Sequence, residues 1–167
     1  TGKMENKDGQ QLTFDFLILP GAQDIAVITK GLLAHYGIEV KVMAMDNPAQ
    51  QQTAQQGKHH FVGMFWSSLM PTLVIQLFSC ENVGVGWNFS HYCNAEVEEL
   101  FKKAKAEVDF DKAVGYLKEA QIKLMQDAVI FPIDVAEILW GMKPDVMGFR
   151  TLGGEQIKLH DMYRLLE

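Results

Sequence analysis

Residues 83–133 decide the fold and read VGVGWNFSHYCNAEVEELFKKAKAEVDFDKAVGYLKEAQIKLMQDAVIFPI. An aromatic, glycine-containing loop opens the stretch. Asn94 then offers an N-cap for one helix, and Asp109 and Asp111 can cap a second. Apolar residues at helical spacing predict that each helix buries one face. The first face comprises Val97, Leu100, Phe101, Ala104 and Val108, and the second comprises Ala113, Leu117, Ala120 and Leu124. The stretch therefore predicts two antiparallel helices over 94–108 and 110–126, followed by a buried strand over 129–133.

The chain before this stretch alternates between strand and helix patterns. Residues 12–18 alternate in polarity and predict a strand. A helix pattern over 25–36 follows, with Gly37 at the C-cap position, and residues 40–44 predict a second strand. The predicted apolar face of the helix comprises Ile25, Ile28, Leu32, Leu33 and Tyr36. This order indicates a βαβ unit with a right-handed crossover.

Weaker patterns complete the predicted architecture. Asn47 can cap a short polar helix with Pro48 in its first turn, and residues 60–66 predict a third strand. The remaining patterns are a helical or irregular segment over 71–78, a strand over 135–140, an extended piece over 146–149, a turn at Gly153-Gly154, and a strand or irregular segment over 157–166. We therefore predict one domain over residues 1–167, of the α/β class, with a mixed sheet flanked by helices.

Composition excludes several classes of function. The chain has 167 residues and a formal charge of −6, which argues against nucleic acid as a partner because phosphate binding requires a basic face. No apolar run approaches the length of a membrane span. The opening Thr1-Gly2-Lys3 reads as if the chain had been cut from a longer protein.

The two cysteines, Cys80 and Cys93, leave two alternatives open. The segment between them is short and contains glycine, so they can form a disulfide in an exported protein. The alternative is two separate, partly buried thiols, since a sequence does not reveal the distance between the Cα atoms.

The sequence favours a protein without catalysis, cofactor or metal. It contains no glycine-rich phosphate loop, no G-x-S-x-G and no C-x-x-C. His59 and His60 are adjacent, so on a strand their side chains point to opposite faces and chelate poorly. The carboxylates over 96–107 alternate with lysines and predict a solvated helix face, with Glu98 supported by Lys102 and Glu99 by Lys103.

The aromatic residues are the best candidates for ligand binding. Trp66 ends the predicted third strand before Ser67 and Ser68, and Trp87 lies in the glycine loop beside Asn88. Strand ends and loops are where α/β folds place ligand sites. An indole offers an apolar face to a sugar ring or a peptide side chain, and hydroxyl and amide groups add hydrogen bonds. We therefore predict a ligand site that contains these five residues.

Trp140, the third tryptophan, lies in the apolar pattern over 135–140. Because that pattern predicts a strand, we expect Trp140 in the core.

The series of motifs resembles a known family. It consists of a Tyr/Asn/Ser loop, NAEVEEL from residue 94, two helices, and an ending LMQDAVIFPI from residue 124. This series resembles the peptide/nickel/oligosaccharide class (family 5) of ABC-transporter solute-binding proteins, in which the corresponding stretch lies in the C-terminal lobe. The resemblance extends from Asp8-Gly9 to the end of the chain. It implies one lobe of a two-lobe, periplasmic-binding-protein-like (type II) fold.

The resemblance also implies a function and partners. In the family, a strand ending in Trp leads into the ligand cleft, and FVGMFWSSLMP at 61–71 is similar to it. Peptide-binding members commonly carry an Asp shortly after that Trp, where this chain has Ser67, Ser68, Leu69 and Met70. This departure favours an oligosaccharide or another neutral solute over a peptide.

The implied function is that of a lobe of a periplasmic or extracellular solute-binding protein that captures an oligosaccharide or an oligopeptide and delivers it to an ABC importer. The implied partners are this small solute, the remaining lobe of a parent chain and an ABC permease. Residues from Val135 onward resemble the part that returns towards the hinge and the other lobe. The alternative is an interaction or assembly domain that keeps the fold but has no cleft ligand.

Overall fold

A computed structural model describes residues 2–68, 70–135, 137–152 and 156–165. The strands are β1 (Thr13–Ile18), β2 (Glu39–Ala44), β3 (Phe61–Val62), β4 (Val146–Met147) and β5 (Tyr163–Arg164). The helices are α1 (Gln23–Ala34), α2 (Asn47–Gln55), α3 (Leu73–Phe78), α4 (Ala95–Ala106) and α5 (Phe110–Gln126). Short 3₁₀ turns occupy Pro20–Ala22, Cys80–Asn82 and Leu159–Asp161.

The sheet that positions the site is parallel, with strand order β2-β1-β3. β1 pairs with β2 from Thr13–Glu39 to Ile18–Ala44, and with β3 through Phe16–Phe61 and Leu17–Val62. Helix α1 connects β1 to β2, so the predicted βαβ unit is present. β4 and β5 form a separate antiparallel pair. The predicted α/β class is confirmed, with the parallel and antiparallel pairings in two small sheets.

The central strand β1 is covered on both faces. Phe16 and Ile18 pack with Ala26 of α1 and Val40 of β2. Leu17, which is completely buried, points the other way because side chains alternate along a strand. It packs with Ala54 of α2 and with Phe89, and the half-buried Trp66 lies against this second cluster.

The two long helices confirm the central prediction. The Asn94 side chain accepts a hydrogen bond from the Glu96 N–H, and the Asp109 side chain accepts one from the Lys112 N–H, so both N-caps are present. Glu96 in the first turn of α4 pairs with Lys123 in the last turn of α5, so the helices run antiparallel. Seven residues of the predicted faces are buried: Val97, Leu100, Phe101, Ala104, Leu117, Ala120 and Leu124. Val108 is an error of the prediction, because it follows the end of α4 and is 98% exposed.

The predicted strands over 129–133 and 135–140 are wrong within the described residues, none of which pairs with another strand there. Pro132 has no N–H to donate to a sheet. The segment is also largely exposed, with Phe131 at 84%. An apolar run indicates a tendency to be buried, but a strand also needs a neighbouring strand, which the described residues do not supply.

Smaller corrections concern helix ends and faces. Asp46 rather than Asn47 caps α2, because its side chain accepts from the Ala49 N–H. Of the predicted apolar face of α1, Ile25 and Leu33 are half-buried and Ile28 and Leu32 are exposed, and Tyr36, which follows the end of the helix, is exposed as well, so this face is only partly covered.

The weaker sequence predictions can also be compared with the structure. The segment over 71–78 is helical as α3, and the extended piece over 146–149 corresponds to β4. The predicted element over 157–166 contains β5 and a 3₁₀ turn, and Gly153-Gly154 lies outside the described residues. Across the described residues, the helices are too short or too polar to span a bilayer.

Candidate functional site

Trp66 and Trp87, here called the tryptophan pair, lie against each other beyond the end of β3. Their ring centroids are 4.6 Å apart and their planes are inclined by 39°. Trp66 is half-buried, and Trp87 is 44% exposed. Because the two indoles overlap, they offer a composite apolar surface that neither would offer alone.

The path after β3 places Trp66 at this position. The Gly63 N–H donates to the Leu17 carbonyl at 2.8 Å, so pairing with β1 ends just after the strand. A Cβ on Gly63 would lie 2.2 Å from Cδ1 of the buried Ile18, so a larger residue at this position would have to displace that side chain. The predicted third strand over 60–66 is therefore too long, and Trp66 follows an irregular segment. That segment lies at the carboxyl end of parallel strands, where open α/β sheets bind ligands.

Ser67 and Ser68 are exposed beside Trp66. The Met70 N–H donates to Oγ of Ser68 at 3.0 Å, which makes a local turn. Both side chains are small and carry hydroxyl groups, so they leave room next to the indole and can exchange hydrogen bonds with a ligand.

Asn88 has a different environment from the other four predicted site residues. It is 1% exposed, and its Nδ2 donates to the Ser79 carbonyl at 2.9 Å and to the Tyr92 carbonyl at 2.8 Å. Its Oδ1 accepts from Oγ of Ser90 at 2.9 Å. Both donors of the amide are used inside the protein, so Asn88 acts on the site through the loop that carries Trp87.

A disulfide encloses that loop. Cys80 and Cys93 are bonded, with their Cα atoms 4.7 Å apart, so of the two alternatives the disulfide is the one present. The backbone N–H of Cys80 donates to the Glu98 carboxylate of α4 at 2.7 Å. Glu98 therefore contacts the loop, and an ion pair with Lys102 is not seen among the described residues.

Two histidines, His59 and His60, precede β3, and a third, His91, lies in the loop that the disulfide closes. His60 Nδ1 accepts from the Asp15 N–H at 2.9 Å, and the rings of His59 and His91 are 6.5 Å apart. Burial lowers the pKa of His59, the charges of His91 and His60 act in the same direction, and a hydrogen bond to the Phe89 backbone opposes them. Nδ1 of His59 is buried without a hydrogen-bond partner among the described residues, so a proton there would be poorly stabilised. No cluster of three potential metal ligands occurs in the described ranges.

The predicted core position of Trp140 is wrong. It lies outside any strand, is 40% exposed and contacts Phe149 at a centroid distance of 5.8 Å. The expected core position failed for the same reason as the strand around it, namely the lack of a pairing strand.

The contact within the tryptophan pair and the anchoring of Trp87 by Asn88 were missed by the sequence analysis. The cysteine spacing was the available signal, because a disulfide between Cys80 and Cys93 necessarily closes a loop around Trp87. It did not indicate that this loop would reach Trp66.

Comparisons with known proteins place these features in context. No protein-family profile matches the chain. Six curated proteins match, and their names describe them as peptide, dipeptide or di/tripeptide binders or as a peptide-transport protein. One is the dipeptide-binding protein of Escherichia coli, 26% identical over 133 residues, which are 78% of this chain and 25% of that protein. These names are those of binding and transport proteins.

Solved structures share the fold. The murein tripeptide binding protein MppA of Escherichia coli matches with a TM-score of 0.76 at 18% identity, over 98% of this chain and 32% of that one. The periplasmic binding protein DppA of Helicobacter pylori, solved with the peptide STSA, matches with a TM-score of 0.73 at 20% identity, over 92% of this chain and 31% of that one.

The coverage and the names together define the relationship. The chain spans about a quarter of the length of the curated relatives that it matches. Their names do not support the oligosaccharide alternative. One relative, the peptide transport periplasmic protein SapA of Salmonella typhimurium, is named as periplasmic, in line with the predicted periplasmic or extracellular localisation. The chain is thus similar in sequence to dipeptide- and di/tripeptide-binding proteins and shares the α/β fold of part of longer peptide-binding proteins, as the predicted resemblance to family 5 solute-binding proteins implies.

Proposed function

We propose that this chain forms part of a periplasmic solute-binding protein that captures short peptides and delivers them to an ABC importer. Peptide binding is the activity named for the curated relatives and for several proteins of the same fold. The observation that carries the proposal is the tryptophan pair at the carboxyl end of the parallel sheet, with Trp87 44% exposed.

The chemistry around the pair suits a peptide with an apolar side chain. The indole faces remove apolar side-chain surface from water, at roughly 25 cal/mol per Å² of area buried. The hydroxyls of Ser67 and Ser68 lie beside them and can bond to peptide N–H and C=O groups. Because these hydroxyls carry no charge, we expect affinity to depend on the apolar side chain more than on a charged terminus.

The rest of a longer protein is the proposed partner of the segment after α5. Val135 and Leu139 are almost fully exposed, as is Phe131 before them. Apolar residues exposed in this density mark a surface that meets another part of a protein. We propose that this surface meets the second lobe, which would close over the peptide, and that the closed form docks on the permease.

Isothermal titration of the full-length protein tests the proposal. The panel contains dipeptides and tripeptides with Leu or Phe, the same peptides with Ser instead, and neutral oligosaccharides of similar size. We expect the Leu and Phe peptides to bind at least about tenfold more tightly than the Ser peptides, a difference of about 1.4 kcal/mol. Binding of oligosaccharides alone would overturn the peptide assignment.

An assembly domain without a cleft ligand is the second candidate function. Exposed apolar residues on α1 and just after it, including Ile28, Leu32 and Tyr36, favour it, because they are available to another protein surface. Sedimentation of the full-length protein separates the two functions. Stable self-association with no heat of binding for any peptide or oligosaccharide would favour assembly.

A further inference from the structure

Residues 80–93, here called the disulfide loop, are held together at the base of the loop by two different interactions. The first closure is the bond between Cys80 and Cys93. The second is Asn88, whose amide donates to the carbonyls of Ser79 and Tyr92, the residues that precede the two cysteines. One buried side chain inside the loop therefore ties together the same two strands of chain that the disulfide joins.

The loop is also anchored on both sides of Trp87. Before Trp87, the Gly86 carbonyl accepts from Nε2 of Gln55 on α2 at 3.2 Å. After it, Phe89 is buried against Leu17 and Ala54. Trp87 itself is 44% exposed and leans on Trp66, which belongs to a different segment of the chain. The loop thus has a fixed base and presents the large aromatic side chain of Trp87 to solvent.

We infer that Asn88 and the Cys80–Cys93 disulfide are positioning groups that hold Trp87 against Trp66 before a ligand arrives. This inference rests on the proposed function and deepens it, because it assigns the shape of the peptide-contacting face to groups that do not touch the peptide. A preformed face avoids the entropic cost of ordering a loop and a large side chain on binding.

The disulfide and the Asn88 hydrogen bonds both restrict the conformations of the disulfide loop. Closing a loop removes conformations from it, whether the closure is covalent or hydrogen-bonded. With the disulfide open, the Asn88 amide must hold the base of the loop alone, in competition with water. We therefore expect Trp87 to leave Trp66 for much of the time when either closure is lost.

Circular dichroism of the full-length protein reads the pair directly. Two indoles in contact give an exciton couplet, which the Trp87→Phe variant assigns to the pair by removing it. The disulfide is opened with an external dithiol, which gives up two electrons and two protons and becomes a disulfide, while Cys80 and Cys93 become thiols. Asn88→Asp removes both amide donors at nearly constant size, and Asn47→Asp on exposed α2 surface is the matched control for the added charge.

We expect the couplet to be largely lost on reduction and in Asn88→Asp, with the helical signal of α4 and α5 retained, and to be unchanged in Asn47→Asp. Affinity for a Phe-containing dipeptide should then fall about tenfold. A couplet that persists in both forms would overturn the inference. Loss of the helical signal on reduction would also overturn it, since the bond would then hold the whole fold. The proposed function is tested separately by peptide binding. If the couplet is lost as expected but the oxidised protein binds no peptide, the positioning role is supported and the proposed function is refuted.

Discussion

Trp66 is half-buried, so its contribution to stability and its contribution to peptide binding can be measured separately. It packs on the cluster of Leu17, Ala54 and Phe89 while its indole also meets Trp87. Deleting a fully buried Trp costs about 3–5 kcal/mol of stability, so a half-buried one should cost less, about 1–2 kcal/mol. In the full-length protein, we expect Trp66→Ala and Trp87→Ala each to weaken peptide binding by about 1–3 kcal/mol, the range of aromatic stacking on bases.

The control for both is Tyr36→Ala, because Tyr36 is an exposed aromatic residue just after α1 and lies outside both the site and the segment proposed to meet the second lobe. It should leave peptide affinity unchanged. Chemical denaturation and titration of the three variants give both quantities. A loss above about 3 kcal/mol in stability with unchanged affinity would make Trp66 a core residue.

His59 should make the stability of the chain depend on pH. Its pKa is lowered in the folded state, chiefly by burial, so below its ordinary value of 6.5 the unfolded chain binds more protons than the folded one. The free energy of unfolding is therefore expected to fall as the pH falls from about 6.5 through the lowered folded pKa. His59→Gln should show a smaller fall between about pH 7 and pH 5, as measured by denaturant titration.

The exposed His35, substituted in the same way, serves as the control. Equal pH dependence in wild type and His59→Gln would exclude His59 as the source. Because the ring of His59 lies 6.5 Å from that of His91 and its backbone hydrogen-bond partner is Phe89, both within residues 80–93, a proton on His59 is expected to disturb that loop first.

Among the secondary-structure elements, α5 offers the cleanest test of local stabilisation. Asp109 caps it by accepting from the Lys112 N–H at 3.1 Å, and it sits outside the helix, facing solvent. Removing an N-cap typically costs about 1 kcal/mol. We expect Asp109→Ala to lower the free energy of unfolding by about that amount. Asp111→Ala removes a charge in the same first turn without removing the cap, and it should lower the free energy of unfolding by roughly 0.3–1 kcal/mol at most. A larger loss in Asp111→Ala than in Asp109→Ala would contradict the capping account.

The helices were predictable because their signals are local. A capping side chain and the residues three and four positions later are close in sequence, so Asn94, Asp109 and the buried faces of α4 and α5 could be identified directly. The strand predicted over 129–133 failed because pairing depends on a neighbouring strand elsewhere in the chain. For the same reason, Trp66 and Trp87 could each be singled out, but not their contact.

For the molecule as a whole, the extent of the ligand enclosure decides the affinity. Small-ligand sites enclose most of the ligand surface, and the tryptophan pair can cover only one side of a peptide. If a second lobe covers the other side, residues 1–167 alone should bind the peptide at least about tenfold more weakly than the full-length protein, or about 1.4 kcal/mol. Titration of the two forms with one Phe dipeptide measures this difference, and equal affinities would exclude a two-lobe site.

The placement of β1 between β2 and β3 has a consequence for the order of folding. The sheet joins distant parts of the chain: Thr13 meets Glu39, 26 residues away, and the Asp15 N–H meets His60, 45 residues away. Helices α4 and α5 instead meet across a turn of three residues, 107–109. Contacts between distant residues form slowly because a large loop must close first. We therefore expect amides of α4 and α5 to become protected earlier than those of β1 in pulse-labelled hydrogen exchange. In that order of folding, the pair of helices forms first and Phe89 packs against Leu17 last.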